Sequence, residues 1–395
     1  MRVALVYDRI NKWGGAERLL LALHELFPKA SLHTSVYHKK KAPWAQAFDV
    51  RTSFLQHFPL VSSSHEFYPL LMPLAFESFS FDEYDLVISV TSEAAKGIIT
   101  KPKTLHICYC LTPTRYLWSG YEEYFKNGFF RKVSQPFVFY LRTWDRVAAQ
   151  RPDAYIAISK EVQGRIKKYY RRESEVVYPP VTLLAARGPA TTFPMSARSS
   201  LSSKLEPNEL RAHGSPSRVT PRYKSQNGYF LIVSRLVPYK RIDIAVEAFN
   251  KLKLPLKIIG VGSEGKRLKS MAGPTIEFLG NLTDVELVSY YKGCRALIFP
   301  GREDFGLTVI EAQSFGKPVI AFKGGGVEET VIEGKTGIFF YDQTSNALAK
   351  TVKQFQNLSF NSKDCVEQAR KFNKIRFKEE LMALINEFLA KKKNL

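Results

Sequence analysis

The chain has 395 residues, which is more than one ordinary hydrophobic core accommodates, so we expect two domains. Hydrophobic residues make up 45% of the chain, as is typical of globular proteins. No run of about 18 uncharged apolar residues occurs, so the sequence predicts no membrane-spanning helix.

Positive charge dominates the composition. Lys and Arg outnumber Asp and Glu to give a formal net charge of +21, and such a chain attracts polyanions. Nucleic acid, an anionic membrane and phosphorylated small molecules all suit this charge. Because the sequence contains no zinc finger and no RNA-binding aromatic signature, we expect phosphorylated small molecules and a membrane surface rather than nucleic acid.

The cysteines and the first residues indicate the compartment. The four cysteines, Cys108, Cys110, Cys294 and Cys365, match neither a zinc pattern nor a disulfide framework. Met1–Asp8 resembles a buried strand and lacks the long apolar stretch of a signal peptide. We therefore expect a reduced, cytoplasmic protein, with a peripheral position on the inner membrane leaflet as a further expectation.

Short apolar segments alternate with helical periodicity through the first 181 residues. This alternation predicts parallel strands covered by helices on both faces, and so a Rossmann-like domain over 1–181 on the acceptor side. The predicted strands are Arg2–Asp8, Leu32–Tyr37, Asp85–Thr91, Thr104–Cys110, Ala154–Ser159 and Glu175–Tyr178, and the predicted helices are Ala16–Leu26 and Lys160–Arg171.

The pattern breaks over 182–227, which is rich in Ser, Pro, Ala, Arg and Gly, and we interpret this stretch as a flexible linker or insertion. A second Rossmann-like domain over 228–375 follows, and then a helix over 376–395, for which we consider a position back against the first domain. The second series has predicted strands Tyr229–Ser234, Leu256–Ile259, Ile276–Leu279, Ala296–Pro300, Pro318–Phe322 and Gly337–Tyr341, and predicted helices Asp243–Lys251, Leu307–Phe315 and Phe377–Lys391.

The sequence thus predicts an α/β protein in which two Rossmann-like domains face a central cleft. Ligands of such sheets bind beyond the carboxyl ends of the strands. The cleft between the two domains is therefore the expected binding site.

The densest motif is Phe299–Ala312, in which a strand ends at Pro300 and a helix begins near Gly306–Leu307. Free amides at a helix start favour a negative group such as a diphosphate, and a glycine there lets a ligand approach the backbone. Glu303 precedes this helix and Glu311 lies within it, so the two carboxylates could hold hydroxyls at opposite ends of a sugar nucleotide. A solvated acidic loop followed by a capped helix remains the open alternative.

A basic loop follows the first strand of the second series. Arg235, Lys240 and Arg241 are therefore expected at the carboxyl edge of the sheet. There Arg can grip phosphate oxygens with two hydrogen bonds, and Lys adds a compact charge. Taken alone, the loop is better explained as an ordinary basic surface.

Two glycine loops follow strands in the same way. Gly324–Gly326 can form a backbone nest beside a ligand, or a flexible turn. Gly14 and Gly15 follow the first strand, but they do not form the GxGxxG fingerprint of a dinucleotide site. They are interpreted as a glycine loop at the inner edge of the first sheet.

Together these motifs resemble the retaining glycosyltransferases of family 4, which have the GT-B architecture. Glu303–Glu311 matches the E-x7-E motif of that family, and Gly324–Glu329 resembles its glycine-rich loop. Ser234–Lys240 resembles its G-R-L-x-x-x-K segment, with serine in place of glycine, and Tyr109–Trp118 resembles a segment of bacterial mannosyltransferase-like members. The resemblance covers nearly the whole chain except 182–227.

The resemblance implies roles for these residues. Arg235 and Lys240 would neutralise the donor diphosphate, Glu303 would contact the transferred sugar near its reacting carbon, and Glu311 would hold the ribose hydroxyls. Because these cations and a helix start supply the charge and no DxD-type motif occupies a donor position, we expect no metal and no cofactor beside the donor substrate. The remaining donor-binding residues would be Phe305, Gly306, Leu307, Thr308, Gly14 and Gly15.

The chain departs from the family at Leu111. Members often carry a histidine before the Thr-Pro that corresponds to Thr112-Pro113, and that histidine usually contacts the donor sugar. His106 lies on the same predicted strand, and we interpret it as a packed or surface histidine rather than a substitute.

Two aromatic segments bear on the acceptor. Phe67–Phe76 is apolar, and core packing explains it at least as well as a membrane contact. Tyr121–Arg146 mixes aromatic and basic residues, which suits an anionic membrane surface. A membrane position would make the acceptor a lipid or a lipid-linked glycan.

The sequence therefore predicts a retaining hexosyltransferase of cell-surface polysaccharide synthesis, with GDP-mannose favoured as donor by the Tyr109–Trp118 segment and a glycan or lipid-linked acceptor. Retention would follow from front-face attack, because no convincing nucleophile for a covalent intermediate is visible. Two alternatives stay open. One is a nucleotide-sugar epimerase or a phosphorylase of the same fold, and the other is a catalytically impaired basic protein that binds membrane or nucleic acid.

Overall fold

The fold is taken from a computed structural model, which describes residues 1–58, 68–125, 128–181 and 228–393. The stretch 182–227, interpreted above as a linker, lies outside the described residues. The first domain contains strands β1 Val3–Tyr7, β2 Ser31–Thr34, β3 Val50–Thr52, β4 Leu86–Thr91, β5 Leu105–Cys110, β6 Ala154–Ala157 and β7 Glu175–Val176, and helices α1 Gly15–Leu26, α2 Met72–Glu77, α3 Tyr121–Tyr124, α4 Gly128–Ala148 and α5 Lys160–Tyr170.

The strands of the first domain form one parallel sheet in the order β3-β2-β1-β4-β5-β6-β7. Every residue of β1, β4 and β5 is buried, because helices cover both faces of the sheet. This burial explains why the strands are continuous apolar runs rather than alternating ones. The order reverses direction between β1 and β4, where loops from neighbouring strands open a crevice.

The second domain repeats this arrangement. Its parallel sheet has the order β10-β9-β8-β11-β12-β13, the order of a Rossmann domain. Its strands are β8 Tyr229–Val233, β9 Leu256–Ile259, β10 Ile276–Gly280, β11 Cys294–Phe299, β12 Val319–Phe322 and β13 Gly337–Phe340, and its helices are α6 Ile242–Leu252, α7 Gly265–Met271, α8 Asp284–Gly293, α9 Leu307–Ser314, α10 Val327–Thr330, α11 Ser345–Phe355, α12 Ser362–Arg370 and α13 Lys374–Lys393.

The last helix, α13, lies against the first domain. Phe377, Leu381 and Ile385 are buried in the same hydrophobic cluster as the first sheet. At the surface, Lys374 and Lys378 each lie 2.8 Å from a carboxylate oxygen of Glu25 on α1. The chain therefore crosses back from the second domain to the first before it ends.

Helix α4 is the largest element that the sequence reasoning missed. Pro136 lies inside it, and an interior proline ordinarily interrupts a helix. Its apolar residues also lie on two sides of the helix, since Leu141 is buried whereas Phe139 is exposed. Among the described helices, none is long and apolar enough to cross a membrane.

A buried ion pair fixes α4 to the first domain. Lys96 Nζ lies 2.5 Å from Asp145 Oδ1, and both side chains are 1% exposed. The Asp145 carboxylate also accepts hydrogen bonds from Thr114 Oγ1 at 2.9 Å and Trp118 Nε1 at 2.7 Å. Asp145 raises the pKa of Lys96 against the opposing effect of burial, so the lysine stays charged.

Lys96→Met is expected to lower the free energy of unfolding by about 3 kcal/mol, because it leaves the Asp145 carboxylate buried without its cation. Urea unfolding followed by circular dichroism measures this change. Lys101→Met is the matched control, since Lys101 pairs with Asp82 at 2.7 Å and both side chains are 55% exposed. The control should cost less than about 1 kcal/mol. Equal losses in the two variants would contradict the assignment.

Candidate active site

The start of helix α9 lies where the two domains meet. A Cβ atom on Gly15, in the loop after β1, would collide with the side chain of Leu307, the first residue of α9. Phe305 and Ile310, on either side of Leu307, belong to the hydrophobic cluster of the first domain. The free amides expected at this helix start therefore face the glycine loop of the opposite domain.

Two predicted site residues form an ion pair beside this helix start. Lys240 ends a short 3-10 turn, Pro238–Lys240, and is buried. Its ammonium group pairs with the carboxylate of Glu303 in the loop before α9. Gly301 permits this approach, because a Cβ there would lie 2.9 Å from the Cα atom of Lys240.

Cations from both domains lie next to Tyr239. Arg235, which is exposed, donates a hydrogen bond of 2.6 Å from Nη2 to the Tyr239 hydroxyl. The Arg115 guanidinium, from the first domain, lies 4.9 Å from the centre of the Tyr239 ring. Arg241 instead donates hydrogen bonds to Asp243 at 3.2 and 3.3 Å. Of the three residues of the predicted basic loop, Arg235 and Lys240 therefore face the cleft, whereas Arg241 pairs with Asp243 in the first turn of α6.

The loop after β1 adds positive charge from the first domain. Lys12 is exposed at the mouth of this loop, but partial loss of solvent around its ammonium group lowers its pKa, and the charges of Arg9 and Arg235 lower it further against the opposing effect of Glu17. Arg9 forms two hydrogen bonds, of 2.6 and 2.8 Å, with Glu93. Lys12 and Arg235, from opposite domains, are thus near enough for their like charges to interact, and a cleft with this charge concentrates anionic ligands.

The second carboxylate of the predicted pair is held from both domains. Glu311 is 3% exposed and accepts a hydrogen bond of 2.7 Å from the Tyr291 hydroxyl. It also pairs with Arg18 of α1, which lies 3.0 Å from Asp284 Oδ1. Burial lowers the pKa of Arg18, but Glu311 and Asp284 outweigh it, so that the pKa lies above its ordinary value.

Asp304, next to Glu303, forms a second bridge between the domains. Its carboxylate lies 2.5 Å from Arg115 Nη2 and also pairs with Arg165 of α5. Arg165 in turn lies 2.7 Å from Glu161 at the start of α5. The loop before α9 is therefore anchored to two basic residues of the first domain.

The glycine-rich loop of the second domain contributes a third bridge through Glu329. Its carboxylate accepts hydrogen bonds from the backbone amides of Lys160 at 2.9 Å and Glu161 at 3.2 Å, at the start of α5. It also accepts one of 2.9 Å from the Tyr178 hydroxyl. A carboxylate at a helix start is stabilised by the free amides there, so this loop contacts the first domain as well as the site.

The chain matches known proteins in sequence and in fold. Residues 218–372 match the family Glycosyl transferases group 1. An uncharacterized glycosyltransferase from Methanocaldococcus jannaschii is 31% identical over 149 residues, and O-antigen chain mannosyltransferase C from Escherichia coli is 27% identical over 165 residues. The matches cover 36% and 40% of this chain, and the chain spans 42% and 43% of the lengths of these two relatives.

A solved structure extends the likeness to almost the whole chain. The crystal structure of Anabaena HepE in complex with UDP and glucose has a TM-score of 0.65 at 20% identity, covering 97% of this chain and 99% of its own. The chain has the GT-B fold. The predicted fold class is thereby confirmed.

The GT-B cleft brings the predicted site residues into one place. Lys240 pairs with Glu303 in the loop before α9, Arg235 bonds to Tyr239 next to Lys240, and Glu311 lies inside α9.

The other predicted donor-binding residues lie at the start of α9 and in the loop that faces it. Phe305 stacks on Tyr178, with ring centres 5.7 Å apart, so only its backbone is available to a ligand. Gly306 has a φ of 90°, a left-handed conformation that favours glycine at this cap, and Leu307 and Thr308 follow as the first helical residues. Gly14 caps α1 in the facing loop and lies beside the side chain of Glu17 in the first turn of that helix. The ligand roles of these residues remain predictions.

Sequence reasoning missed the partners of Glu311 and of Asp304, the residue after Glu303. Arg18 and Tyr291 position Glu311, and Arg115 and Arg165 hold Asp304. Arg115 lies within the Tyr109–Trp118 segment, but nothing in the sequence links a lone arginine on α1 to a glutamate 293 positions later.

Leu111 and His106, the two residues considered at the position of the missing histidine, are both packed in the first domain. Leu111 packs against the hydrophobic cluster of the first domain. His106 is buried, and its Nε2 lies 2.8 Å from Ser89 Oγ. Burial lowers the pKa of His106 to about 3, so the ring is neutral and packed, in agreement with its interpretation from sequence. Neither residue therefore presents an imidazole to the cleft.

Gly326→Ala is expected to lower the free energy of unfolding by about 1–3 kcal/mol, because a Cβ there would collide with the backbone of Asp304 and Phe305. It would also strain the hydrogen bond of 2.8 Å that the Gly326 amide donates to the Glu303 carbonyl. Thermal and urea unfolding measure the effect. Gly164→Ala is the control, since a Cβ in that helical position has open space and should stabilise the protein by about 0.5–1 kcal/mol. A Gly326→Ala variant as stable as the natural chain would refute this packing.

Proposed function

We propose that this GT-B protein is a retaining glycosyltransferase. It moves a hexose from a nucleotide-diphosphate sugar to a glycan or a lipid-linked acceptor in cell-surface polysaccharide synthesis. One observation carries the proposal: Lys240 pairs with Glu303 just before α9, Arg18 of the opposite domain pairs with Glu311 within α9, and the helix start between these two acids faces the first domain. The match of residues 218–372 to Glycosyl transferases group 1 supports it.

The donor diphosphate occupies the start of α9 in this proposal. The amides of Leu307 and Thr308 have no helical carbonyl to bond and can donate to phosphate oxygens. Lys240 and Arg235 add positive charge on the same side. Charge fixed in this way stabilises the departing diphosphate as the bond to the sugar breaks, without a proton transfer and without a metal.

The two glutamates flank the diphosphate in this proposal. Lys240 pairs with Glu303 and so would hold it beside the diphosphate. From there the Glu303 carboxylate would reach the transferred sugar. Tyr291 orients Glu311, so that its carboxylate can accept hydrogen bonds from the two ribose hydroxyls. In this structure Arg18 pairs with one of the two oxygens of the Glu311 carboxylate. Donor binding therefore requires Arg18 to share Glu311 or to turn fully to Asp284, 3.0 Å away.

The sugar is proposed to be mannose, carried by GDP. The Tyr109–Trp118 segment and the match to O-antigen chain mannosyltransferase C support this choice. HepE is solved with UDP and glucose, so UDP-glucose is the competing donor. Thermal shift with a panel of GDP- and UDP-sugars decides between them, because a ligand that binds the folded state alone raises the melting temperature.

Retention is proposed to follow front-face attack by the acceptor hydroxyl on the side from which the diphosphate leaves. The acceptor approaches from the first domain, whose loop after β1 faces α9. Proton NMR of the first-formed product reads the configuration of its anomeric carbon. The same configuration as in the donor supports retention, and the opposite configuration rules it out.

The competing function is a basic binding protein with an impaired site, and the packed Leu111 favours it. Such a protein would bind membrane or nucleic acid and would not turn over a nucleotide sugar. Titration calorimetry without heat for any GDP- or UDP-sugar, together with tight RNA binding, would decide for it. A nucleotide-free, phosphate-dependent reaction would instead indicate a phosphorylase.

Lys240→Ala is expected to lower kcat for sugar transfer at least a hundredfold, because it removes a cation that stabilises the leaving diphosphate. Transfer is followed by release of the nucleoside diphosphate in a coupled assay. Lys292→Ala is the control, since Lys292 is exposed on α8 and should leave the rate unchanged. Turnover of Lys240→Ala at the rate of the natural chain would refute the proposal.

We also propose that the enzyme works at the cytoplasmic face of an anionic membrane. The net charge of +21 and the mixture of aromatic and basic residues in Tyr121–Arg146 support this position. The other aromatic segment is largely packed into the first domain, where Met72, Ala75 and Phe76 are buried, although Leu74 is exposed.

A further inference from the structure

Helix α4 exposes two adjacent strips of different character. Its cationic strip is formed by Arg131, Arg142 and Arg146, and its apolar strip by Val133, Phe137, Tyr140 and Val147. The spacings within each strip follow the period of a helix, so each strip lies along one side. Every member of the apolar strip is more than half exposed, and Phe139, which lies between the strips, is 73% exposed.

The positive charge of α4 has little compensation on its own helix. The sequence of α4 contains one acid, Asp145, and this residue is buried in its pair with Lys96. Outside the helix, Glu122 lies 4.0 Å from Arg131, but it is 86% exposed and screened by solvent. Lys132 adds a further exposed cation between the strips.

Aromatic rings from the segment between β5 and α4 pack against the cationic strip. The Arg142 guanidinium lies 4.6 Å from the centre of the Tyr121 ring and 5.6 Å from that of Trp118. Arg146 lies 5.0 Å from Trp118, and Arg131 lies 5.3 Å from Tyr121. These rings hold the guanidinium groups in a row, so that less side-chain entropy is lost when they bind anions.

Two surface cavities open along this row. A cavity of about 400 Å³ is lined by Tyr121, Gln135 and the two arginines Arg131 and Arg142. A cavity of about 530 Å³ lies beyond it, where Lys168 and Arg171 join Arg146. Each cavity offers at least two cations to an anionic group.

The row ends beside the donor cleft. Tyr121 begins α3, which ends at Tyr124, and the Tyr124 ring lies 6.3 Å from that of Tyr116. The neighbouring Arg115 is the residue that pairs with Asp304 in the cleft. A ligand bound along α4 would therefore lie near the point where the acceptor must enter.

We propose that the exposed face of α4 docks on an anionic lipid bilayer, with the cationic strip at the phosphate headgroups and the apolar strip in the acyl boundary. The inference rests on the proposed function, because it brings a lipid-linked acceptor to the mouth of the cleft. A bilayer accounts for both strips at once, since exposed valine and phenylalanine gain nothing from a nucleic-acid backbone. Aromatic residues such as Tyr140 are favoured at this interface.

The test is flotation of the full chain with phosphatidylcholine vesicles that contain or lack phosphatidylglycerol. The natural chain is expected to float with the anionic vesicles, and less so at high salt. The double variant Arg131→Glu with Lys132→Glu should weaken the apparent affinity at least tenfold, because each cation near the surface contributes to binding and each added carboxylate opposes it. Phe139→Ser should weaken it as well, through loss of the apolar contact.

Matched controls lie on the second domain. Lys350→Glu with Lys353→Glu on α11 changes the net charge by the same amount, and Val285→Ser removes an exposed apolar side chain from α8. Both controls should float like the natural chain. Flotation lost equally in the α4 variants and the controls would overturn the proposal, as would failure of the natural chain to bind anionic vesicles. Tighter binding to single-stranded RNA than to vesicles, lost in the α4 variant, would overturn it in favour of nucleic acid.

Nucleotide binding separates this inference from the proposed function. The α4 variants should keep the thermal shift of the natural chain with GDP and UDP, because none of the substituted residues belongs to the donor site. Flotation without any nucleotide shift in the natural chain would leave the docking surface standing and refute the glycosyltransferase proposal. A nucleotide shift without flotation would do the reverse.

Discussion

The balance of charge across the interdomain cleft is the constraint on which the site depends. Two acids around the start of α9 pair with cations of the opposite domain, Glu311 with Arg18 and Asp304 with Arg115 and Arg165. A carboxylate that is nearly buried, as Glu311 is, requires such a partner, because burying an isolated charge costs several kcal/mol. The two domains are therefore held together by the same residues that surround the proposed donor.

In this arrangement the motif carboxylates balance part of the positive charge that the proposed polyanion would meet in the cleft. Glu303 and Glu311 offset the charges of Lys240 and Arg18. Lys12 and Arg235 bring like charges towards each other from the two sides, and this repulsion contributes to the lowered pKa of Lys12. A diphosphate between them would relieve the repulsion. Further cations lie outside the cleft, among the arginines of α4, where aromatic rings pack against the guanidinium groups.

The sequence predicted the elements and the loops of this site because both have local signatures. Buried parallel strands are continuous apolar runs, and the residues that follow them must lie at the carboxyl edge of the sheet, as Arg235 and Glu303 do. It could not predict the pairing of Arg18 with Glu311 or of Arg115 with Asp304, because these partners are 293 and 189 positions apart and nothing local links them. Strand β3 has only three residues, too few to show an apolar run. Pro136 argued against a helix over the residues that form α4.

The most direct test of this account is a crystal structure of the chain with a bound nucleoside-diphosphate sugar. The account predicts diphosphate oxygens within about 2.7–3.2 Å of Arg235, Lys240 and the amides of Leu307 and Thr308, with Glu303 at the sugar and Glu311 at the ribose. A diphosphate bound away from the start of α9, with the ion pairs of Glu303 and Glu311 unchanged, would contradict it.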